Sequence, residues 1–352
     1  MNRFFSSFPI IVALPAFFLM CFLLSPPLVS AQTSDFSLIT SPLPISIVAE
    51  PGTSVSTDIK VKNGGLKEES LKINLMKFRA YVDTGKPELL DPEPKDDFLN
   101  WVSFSEPSFS LGPNEWKTVT ATFRVPKEAS FGYYYAIVFS RADGDTVSPG
   151  KTAIVGGTAV LVLLEARVKD AVRSVEVAEF SVDRRFYEFL PATFHITLKN
   201  NGNVHLSPRG NIFIDRGDIK NITAIEVNDE KGNILPGSSR IFEAKWEDGF
   251  PLYEDRIEDD RAVLDEEGNK KQTLVWNWKD ASKLRMGKYT ATLLLIYDDG
   301  TRDIPIEGTV SFFVVPWRLL GAVGIIIVFF FIGLRSTVVK MWKKAFGKKM
   351  EV

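Results

Sequence analysis

Sixteen consecutive uncharged residues near the C-terminus, Leu319–Leu334, constrain the fold of this chain more than any other feature. With its neighbours, this stretch reaches the roughly 20 apolar residues that a helix needs to cross the hydrocarbon core of a bilayer. A helix of this length in a soluble core would normally carry a polar face. The sequence therefore predicts a transmembrane helix over residues 316–337, followed by a basic tail over residues 338–352.

The charges that flank this helix predict its orientation. Trp317 and Arg318 precede the apolar stretch. The basic and aromatic residues that follow it are Arg335, Lys340, Trp342, Lys343 and Lys344. Because Lys and Arg collect on the cytoplasmic side of a membrane span, we expect the tail to be cytoplasmic and the large N-terminal portion to be outside. Membrane lipid is thus the first predicted partner.

A second apolar stretch, at the N-terminus, has the features of a secretory signal peptide. A positive charge precedes the apolar run Phe8–Leu24, and small residues end at Ala31. Signal peptidase reads small residues of this kind, which predicts removal of residues 1–31 and a mature N-terminus at Gln32. An uncleaved first membrane span is the alternative. Cys21, the only cysteine, follows a bulky residue, which argues against lipidation there.

The predicted exported portion, residues 32–315, contains no cysteine and is acidic. It cannot form an internal disulfide, which favours a prokaryotic surface or domains large enough to be stable without one. Its length suits two domains of ordinary size. Because an acidic surface does not attract nucleic acid, nucleic acid is not an expected partner.

Short alternating runs rich in β-branched and aromatic residues fill this portion, with Gly, Pro, Asn and Asp between them. Examples are Val55–Val61, Leu71–Met76, Thr118–Val125, Thr193–Leu198, Arg240–Trp246 and Tyr289–Tyr297. Such spacing is typical of β-sandwiches rather than of parallel α/β sheets. The predicted fold class is all-β, with two tandem immunoglobulin-like β-sandwiches, a signal peptide and one C-terminal transmembrane helix.

Three landmarks occur twice in the same order, which predicts two copies of one fold rather than a single elongated β-domain. The pairs are Ile59–Gly65 and Ile196–Gly202, Leu111–Pro113 and Leu235–Gly237, and Gly132–Tyr134 and Gly287–Tyr289. The first pair ends in Asn/Gly turns, where a positive φ angle costs little. The last pair is typical of the tyrosine corner of immunoglobulin-like sandwiches. We predict domains over residues 32–169 and 170–315, with a charged excursion over residues 247–271.

Candidate chemical sites are few. The excursion 247–271 offers carboxylates that could hold Ca²⁺, but their spacing is not that of an EF-hand, so a solvated loop or a short amphipathic helix is the preferred interpretation. The only histidines, His195 and His205, are too few for a typical metal site. No nucleophile elbow, zinc-protease motif or phosphate loop occurs. We therefore predict no enzymatic activity, no cofactor and no metal.

Aromatic side chains are the remaining candidates for ligand contact. Alternation along a strand places Tyr133 and Tyr135 on one face and Tyr134 on the other. Trp276 and Trp278 likewise share a face. Because large aromatic residues chiefly occupy cores and interfaces, packing is the preferred interpretation for most of them.

The layout resembles that of the WxL-interacting cell-surface proteins of Gram-positive bacteria. The resemblance rests on Val55–Gly65, on Phe109–Pro113 leading into Val119–Pro126, and on Gly132–Tyr134. These residues lie in the part that looks like the peptidoglycan-binding domain of that family, whereas the second domain matches in position alone. The resemblance implies a surface protein that contacts the cell wall or another surface protein.

These features predict a non-enzymatic, single-pass protein of the cell membrane that presents two immunoglobulin-like domains to a cell-wall polymer or to a surface-protein partner. The alternative is a surface assembly factor that binds exported subunits by adding a strand to an open sheet edge. Pro316 alone separates the last predicted strand, Gly308–Val315, from the helix. We therefore expect the second sandwich to sit close to the bilayer, with the first held outward.

N-terminal sequencing of the mature chain tests the signal-peptide prediction. We expect the mature chain to begin at Gln32, because Ala31 ends the small-residue motif. A mature chain that begins at Cys21 would contradict this prediction and would indicate a lipoprotein.

Overall fold

The computed structural model describes residues 36–346, except residues 82–83, 144–156, 259–260, 266–267 and 269. The backbone alone is described for residues 343–346, which include Lys343 and Lys344. The predicted signal peptide and its cleavage between Ala31 and Gln32 lie outside the described residues. Within them, the chain forms two β-sandwiches and one C-terminal helix. The predicted all-β fold of two sandwiches with one apolar C-terminal helix is confirmed.

The first sandwich contains ten strands and one short 3₁₀ helix, Asp97–Trp101. Its strands are β1 (Leu38–Ser41), β2 (Ile45–Ala49), β3 (Ser54–Asn63), β4 (Glu69–Ala80), β5 (Pro87–Leu90), β6 (Val102–Phe104), β7 (Ser108–Leu111), β8 (Trp116–Arg124), β9 (Phe131–Arg141) and β10 (Gly157–Ala166). One sheet has the order β1-β3-β8-β6, and the other has the order β2-β10-β9-β4-β5, with β7 also paired to β4. Alternate residues of both sheets meet in a core that includes Ile59, Phe123 and Tyr135.

The second sandwich repeats this plan. Its strands are β11 (Val175–Val182), β12 (Phe186–Tyr187), β13 (Ala192–Asn200), β14 (Arg209–Arg216), β15 (Ile219–Val227), β16 (Ser239–Trp246), β17 (Leu252–Asp255), β18 (Ile257–Glu258), β19 (Arg261–Ala262), β20 (Gln272–Val275), β21 (Gly287–Asp298) and β22 (Asp303–Val314). Its two principal sheets have the orders β11-β13-β16 and β12-β22-β21-β14-β15. The predicted boundary near residues 169–170 falls between β10 and β11.

The repeated landmarks occupy equivalent places in the two sandwiches. The Asn/Gly pair ends β3 and β13, the Leu/Gly/Pro pair precedes β8 and β16, and the Gly-x-Tyr pair opens β9 and β21, where Tyr289 corresponds to Tyr133 rather than to Tyr134. In both sandwiches the first of these strands pairs antiparallel with the second, while the third belongs to the opposite sheet. The prediction of two copies of one fold is therefore confirmed.

A buried asparagine fixes the same junction in each sandwich. The Asn63 Nδ2 atom donates to the carbonyl oxygens of Lys67 (2.7 Å) and Leu111 (3.0 Å), and its Oδ1 atom accepts from the Gly65 N–H. These bonds tie the end of β3 to the connection that precedes β8. Asn63 is fully buried, so the bonds also satisfy polar atoms that water does not reach.

Asn200 repeats this network bond for bond. Its Nδ2 atom donates to the carbonyl oxygens of Val204 (2.8 Å) and Ile234 (2.9 Å), and its Oδ1 atom accepts from the Gly202 N–H. The positive φ angles occur not in the predicted Asn/Gly turns but at Asn114 and Gly237, in the connections that the two asparagines hold. Asn63 and Asn200 thus shape these turns through their side chains rather than through positive φ angles.

Both predicted tyrosine corners are present. The hydroxyl of Tyr133 accepts from the backbone N–H of Ser130, and the hydroxyl of Tyr289 accepts from that of Met286, each at 3.1 Å. In both cases the donor lies three residues before the tyrosine. The hydroxyl therefore holds the connecting loop against the strand that it enters, as in immunoglobulin-like sandwiches.

The charged excursion contains strands rather than a helix. β17 pairs with β20, and β18 pairs with β19 between them in the chain. The described residues thus form two nested antiparallel pairs before a 3₁₀ helix, Trp278–Lys283. The described residues of the excursion therefore do not form the short amphipathic helix that the sequence allowed. Leu252 of β17 packs against the core of the second sandwich and pairs with Val275 of β20, so this hairpin is attached to the sandwich.

The C-terminal helix α1 spans Trp317–Phe346. Its segment Trp317–Trp342 is long and apolar enough to cross a membrane, with a mean hydropathy of 2.3, and none of its most apolar part is buried against the protein. The helix continues past the predicted end at residue 337, because the sequence has neither Pro nor Gly over residues 338–346.

Replacing either buried asparagine with alanine should destabilise its sandwich by more than about 2 kcal/mol, because two carbonyl oxygens and one N–H lose their buried partner. The experiment measures urea unfolding of the full chain in detergent for N63A and N200A. N201A, at a neighbouring exposed asparagine, serves as the control and should change the free energy of unfolding little. Equal stability of N200A and N201A would contradict the proposed role of the network.

Candidate functional site

The first strand of each sandwich is divided between two sheets. In the first sandwich, β1 pairs with β3, and the chain then crosses through Pro42 and Pro44 so that β2 pairs with β10 in the opposite sheet. The peptide bonds before both prolines are cis. Because β2 pairs only with Val162–Ala166, Gly157–Leu161 of β10 has β9 on one side and no described strand on the other. Half of β10 is therefore an open edge.

The direction of the backbone groups along this open edge follows from one hydrogen bond. The N–H of Arg167 donates to the carbonyl oxygen of Ala49, on the β2 side of β10, at 2.8 Å. Backbone groups alternate in direction along a strand, and the β9–β10 register has no bulge. Gly157, Ala159 and Leu161 therefore direct their N–H and C=O groups away from β9.

The second sandwich has the same edge, but its residues protect it. The Val315 N–H donates to the Tyr187 carbonyl oxygen at 2.7 Å, as Arg167 does in the first sandwich. Counting back from these equivalent bonds, Pro305 corresponds to Gly157 and Glu307 to Ala159. Proline removes an outward donor and a charge discourages strand addition. The edge of β22 is therefore blocked, whereas Gly157–Leu161 has neither proline nor charge.

The outer face of the sheet beside the open edge is apolar. Ala159, Leu161 and Leu163 point to this face, and Val160, Val162 and Leu164 point to the core of the sandwich. The neighbouring residues on the outer face include Met76, Phe78, Tyr134, Ala136 and Val138. Leu235 of the second sandwich packs against this face. The sheet is thus apolar on both faces, as in strands that are buried on both sides.

A groove of about 580 Å³ lies between the sandwiches along this face. Apolar residues of the first sandwich line one side: Leu43, Pro44, Phe78, Ala80, Pro87, Ala159, Leu161 and Leu163. Residues of the second sandwich line the other side: Glu230, Lys231, Gly232, Asn233, Leu235 and Arg240. A strand added at the open edge would place its alternate side chains in this groove.

Arg240 forms the charged wall of the groove. Its Nη1 atom donates to the Asn233 carbonyl oxygen at 2.9 Å, and its guanidinium lies 5.2 Å from the Phe242 ring centre. Burial lowers the pKa of Arg240, although Glu230 opposes this effect. A Cβ atom at Gly232 would lie 2.6 Å from the guanidinium, so glycine is needed for this close approach. The wall is thus a fixed positive group beside an apolar floor.

An ion pair and a histidine join the two sandwiches at the end of β10. Arg173 pairs with Glu165, whose side chain is only 6% exposed. His205 contacts Tyr134 edge to face, with ring centres 5.9 Å apart. Burial, and secondarily the positive charge of Arg173, lower the pKa of His205 to about 4. The imidazole is therefore neutral at neutral pH. The Arg173–Glu165 ion pair and the His205–Tyr134 contact together hold the two sandwiches against each other.

The tyrosines and histidines that the sequence offered as candidates for chemistry pack or form polar contacts within the fold. Tyr135 is buried in the core and its hydroxyl donates to the Phe98 carbonyl oxygen at 3.0 Å, whereas Tyr134 lies on the opposite face. His195 approaches Glu243 at 3.7 Å and is thus separate from His205. Among the described residues, no group of three or more His, Cys, Asp or Glu could hold a metal ion. Several carboxylates of the excursion lie outside these residues.

The predicted membrane-flanking residues belong to one helix. Trp317 and Arg318 form its first turn, and Leu319, Leu334, Arg335, Lys340 and Trp342 follow along it. Arg318 Nη1 lies 3.4 Å from Glu188 Oε2, a carboxylate oxygen on a side chain only 9% exposed. This contact attaches the start of α1 to the second sandwich. Membrane anchoring through one apolar helix is consistent with this arrangement.

No family model matches the chain, and no curated relative is found. The chain is similar to a CsuC–CsuE chaperone–tip adhesion subunit pre-assembly complex from Acinetobacter baumannii, with 13% identity over 77% of this chain and 97% of that one, at a TM-score of 0.34. The DraB chaperone of E. coli gives 14% identity over 78% and 96%, at a TM-score of 0.31. A SafA pilin–SafB chaperone complex of Salmonella enterica gives 10% over 78% and 97%, at 0.31. At these values, function must be inferred from this chain's own geometry.

Sequence reasoning missed the open half of β10. The missing partner of this strand depends on where β2 ends, which is a distant property of the chain. One signal was available. The equivalent strand in the second half carries Pro305 and Glu307, and a comparison of the two repeats would have revealed the unprotected edge.

The stability of the junction should fall as the pH decreases from 6.5 toward 4. His205 has a lowered pKa in the folded chain, so the unfolded chain binds more protons in this range and is favoured. The stability that His205 contributes is complete above pH 6.5 and decreases by about 2–3 kcal/mol at pH 4.5.

The measurement compares the melting temperature of the full chain in detergent at pH 7.5 and pH 4.5. Carboxylates also titrate in this range, so H205Q provides the comparison and should show a smaller decrease. An equal decrease in both chains would contradict the assignment to His205.

Proposed function

We propose that this chain is a membrane-anchored, non-enzymatic protein of the cell surface that binds an extended segment of an exported partner protein at the open edge of β10. This is the assembly-factor function that the sequence left as the alternative. The observation that carries it is the contrast between two equivalent edges. Gly157 and Ala159 leave their backbone groups available, whereas Pro305 and Glu307 block the same positions in the second sandwich.

Main-chain hydrogen bonds would provide a general affinity for an extended segment. Each such bond contributes about 0.5–1.5 kcal/mol net, so the outward-facing residues Gly157, Ala159 and Leu161 give modest binding by themselves. The apolar groove would add the rest, because alternate side chains of the added strand would point into it. The expected partner segment therefore has apolar residues at every second position.

Binding of a cell-wall polymer, which the resemblance to WxL-interacting proteins implies, is a second candidate that stays a prediction. No contact described above favours a polysaccharide over a peptide, whereas the open edge favours a peptide because its unpaired groups match a β-strand. The solved structures named above include chaperones, but the proposal rests on the edge of this chain. The basic flank of α1 supports an arrangement with both sandwiches outside and the tail inside.

Cross-linking tests this proposal in intact membranes. A C21S chain with E230C carries one cysteine on the groove wall, to which a benzophenone maleimide can be attached. We expect light-induced cross-links to an exported protein. The double variant G157P/A159E should lose most of this product, because it gives the first sandwich the protected edge of the second.

Two controls make the result specific. A159S keeps the outward N–H and should cross-link as the parent does, and P305G/E307A should leave the yield unchanged. The second sandwich tolerates proline and glutamate at these positions, so G157P/A159E should fold, as its melting temperature can verify. Undiminished cross-linking by folded G157P/A159E would contradict the proposal. Binding of this variant to purified cell wall would not alter that conclusion.

A further inference from the structure

An exposed aromatic platform lies at one end of the second sandwich. The rings of Trp276 and Trp278 stack with centres 5.8 Å apart and an interplanar angle of 29°. The ring of Phe250 contacts both, at 5.6 Å and 5.3 Å. Trp276 is 42% exposed and Trp278 is 71% exposed. The platform therefore packs on Phe250 and remains accessible to solvent.

This platform lies at the same end of the sandwich as the start of α1. Trp246, the last residue of β16, contacts Tyr289 near the start of β21, with ring centres 5.0 Å apart. Gly287 pairs with Val314, the last residue of β22. The segment that carries the platform therefore leaves the sandwich from the end at which the chain enters α1.

A chain of ring contacts connects the platform to the first turn of the helix. Trp276 contacts Phe189, with ring centres 6.4 Å apart, and Phe189 contacts Tyr253 at 6.3 Å. Phe189 and Tyr253 line a crevice of about 440 Å³ together with Trp317 and Arg318. The platform and the membrane-entry point are thus neighbours on one surface.

The connection between sandwich and helix leaves little freedom. Val315 and Pro316 alone separate β22 from α1, and the Leu320 N–H donates to the Pro316 carbonyl oxygen at 2.9 Å. The contact between Arg318 and Glu188 holds the first turn against the sandwich. A helix that enters a bilayer at Trp317 would therefore bring this end of the sandwich to the headgroup layer.

We propose that the Trp276–Trp278 platform inserts into the headgroup layer of the outer leaflet, so that the second sandwich rests on the membrane. Tryptophan favours this layer because its ring is apolar and its N–H remains hydrated. Lys279 follows the platform and is exposed, which suits contact with anionic lipid. The proposal rests on the membrane span of α1 and not on binding at β10. It implies that the groove is held at a fixed height above the bilayer.

A fluorescent probe next to the platform tests this inference. The C21S chain with K279C is labelled with NBD and reconstituted in vesicles of phosphatidylcholine and phosphatidylglycerol. A lipid that carries a nitroxide on its headgroup should quench this NBD several-fold more than NBD at L66C. Leu66 is 81% exposed and follows β3, at the end of the first sandwich away from the second.

The variant W276A/W278A should reduce the quenching at K279C to the level at L66C while the chain still floats with the vesicles. W278A alone, at the more exposed ring, should give an intermediate value and guards against misfolding. Equal quenching at K279C and L66C in a floating chain would overturn the platform proposal. The stacked rings would then be a candidate binding site for a soluble ligand such as a saccharide. Failure of the parent chain to float would overturn membrane anchoring itself.

Discussion

The division of one strand between two sheets determines what the first sandwich can bind. The first strand pairs with β3 as β1 and crosses at Pro42 and Pro44 to pair with β10 as β2. Because the crossing takes up chain length, β2 reaches only half of β10. The other half keeps its pairing to β9, but no described strand pairs with its outer side. An unpaired edge of this kind is costly for a protein unless a partner uses it.

The second sandwich shows that this cost can be avoided. It divides its first strand in the same way, since β11 pairs with β13 and β12 pairs with β22. Its edge nevertheless carries Pro305 and Glu307, which leave few unpaired donors and place a charge beside them. The two sandwiches share one fold, but only the second carries protecting residues at this edge. Different functions of the two sandwiches explain this difference best. In this account the first sandwich binds, and the second holds the wall of the groove and connects the binding site to the membrane.

Local features of the fold could be predicted from sequence, and features that depend on distant pairing could not. The tyrosine corners of Tyr133 and Tyr289 depend on three-residue spacing, and the apolar helix depends on length, so both appear in the sequence. The repeat that contains Asn63 and Asn200 was visible in the sequence, but their hydrogen bonds were not, because the carbonyl groups they bind lie up to 48 residues away. Likewise, the open half of β10 results from the length of β2, which cannot be predicted from the local sequence of β10.

The most direct test of the central claim is hydrogen exchange at the backbone amides of β10, measured on the full chain in lipid nanodiscs with and without its cross-linked partner. Without the partner, the outward amide of Ala159 should exchange much faster than the amides of Thr158 and Val160, which face β9. With the partner, the account predicts that exchange at Ala159 slows to the rate of its neighbours. Unchanged exchange at Ala159, with new protection elsewhere in the chain, would contradict the account.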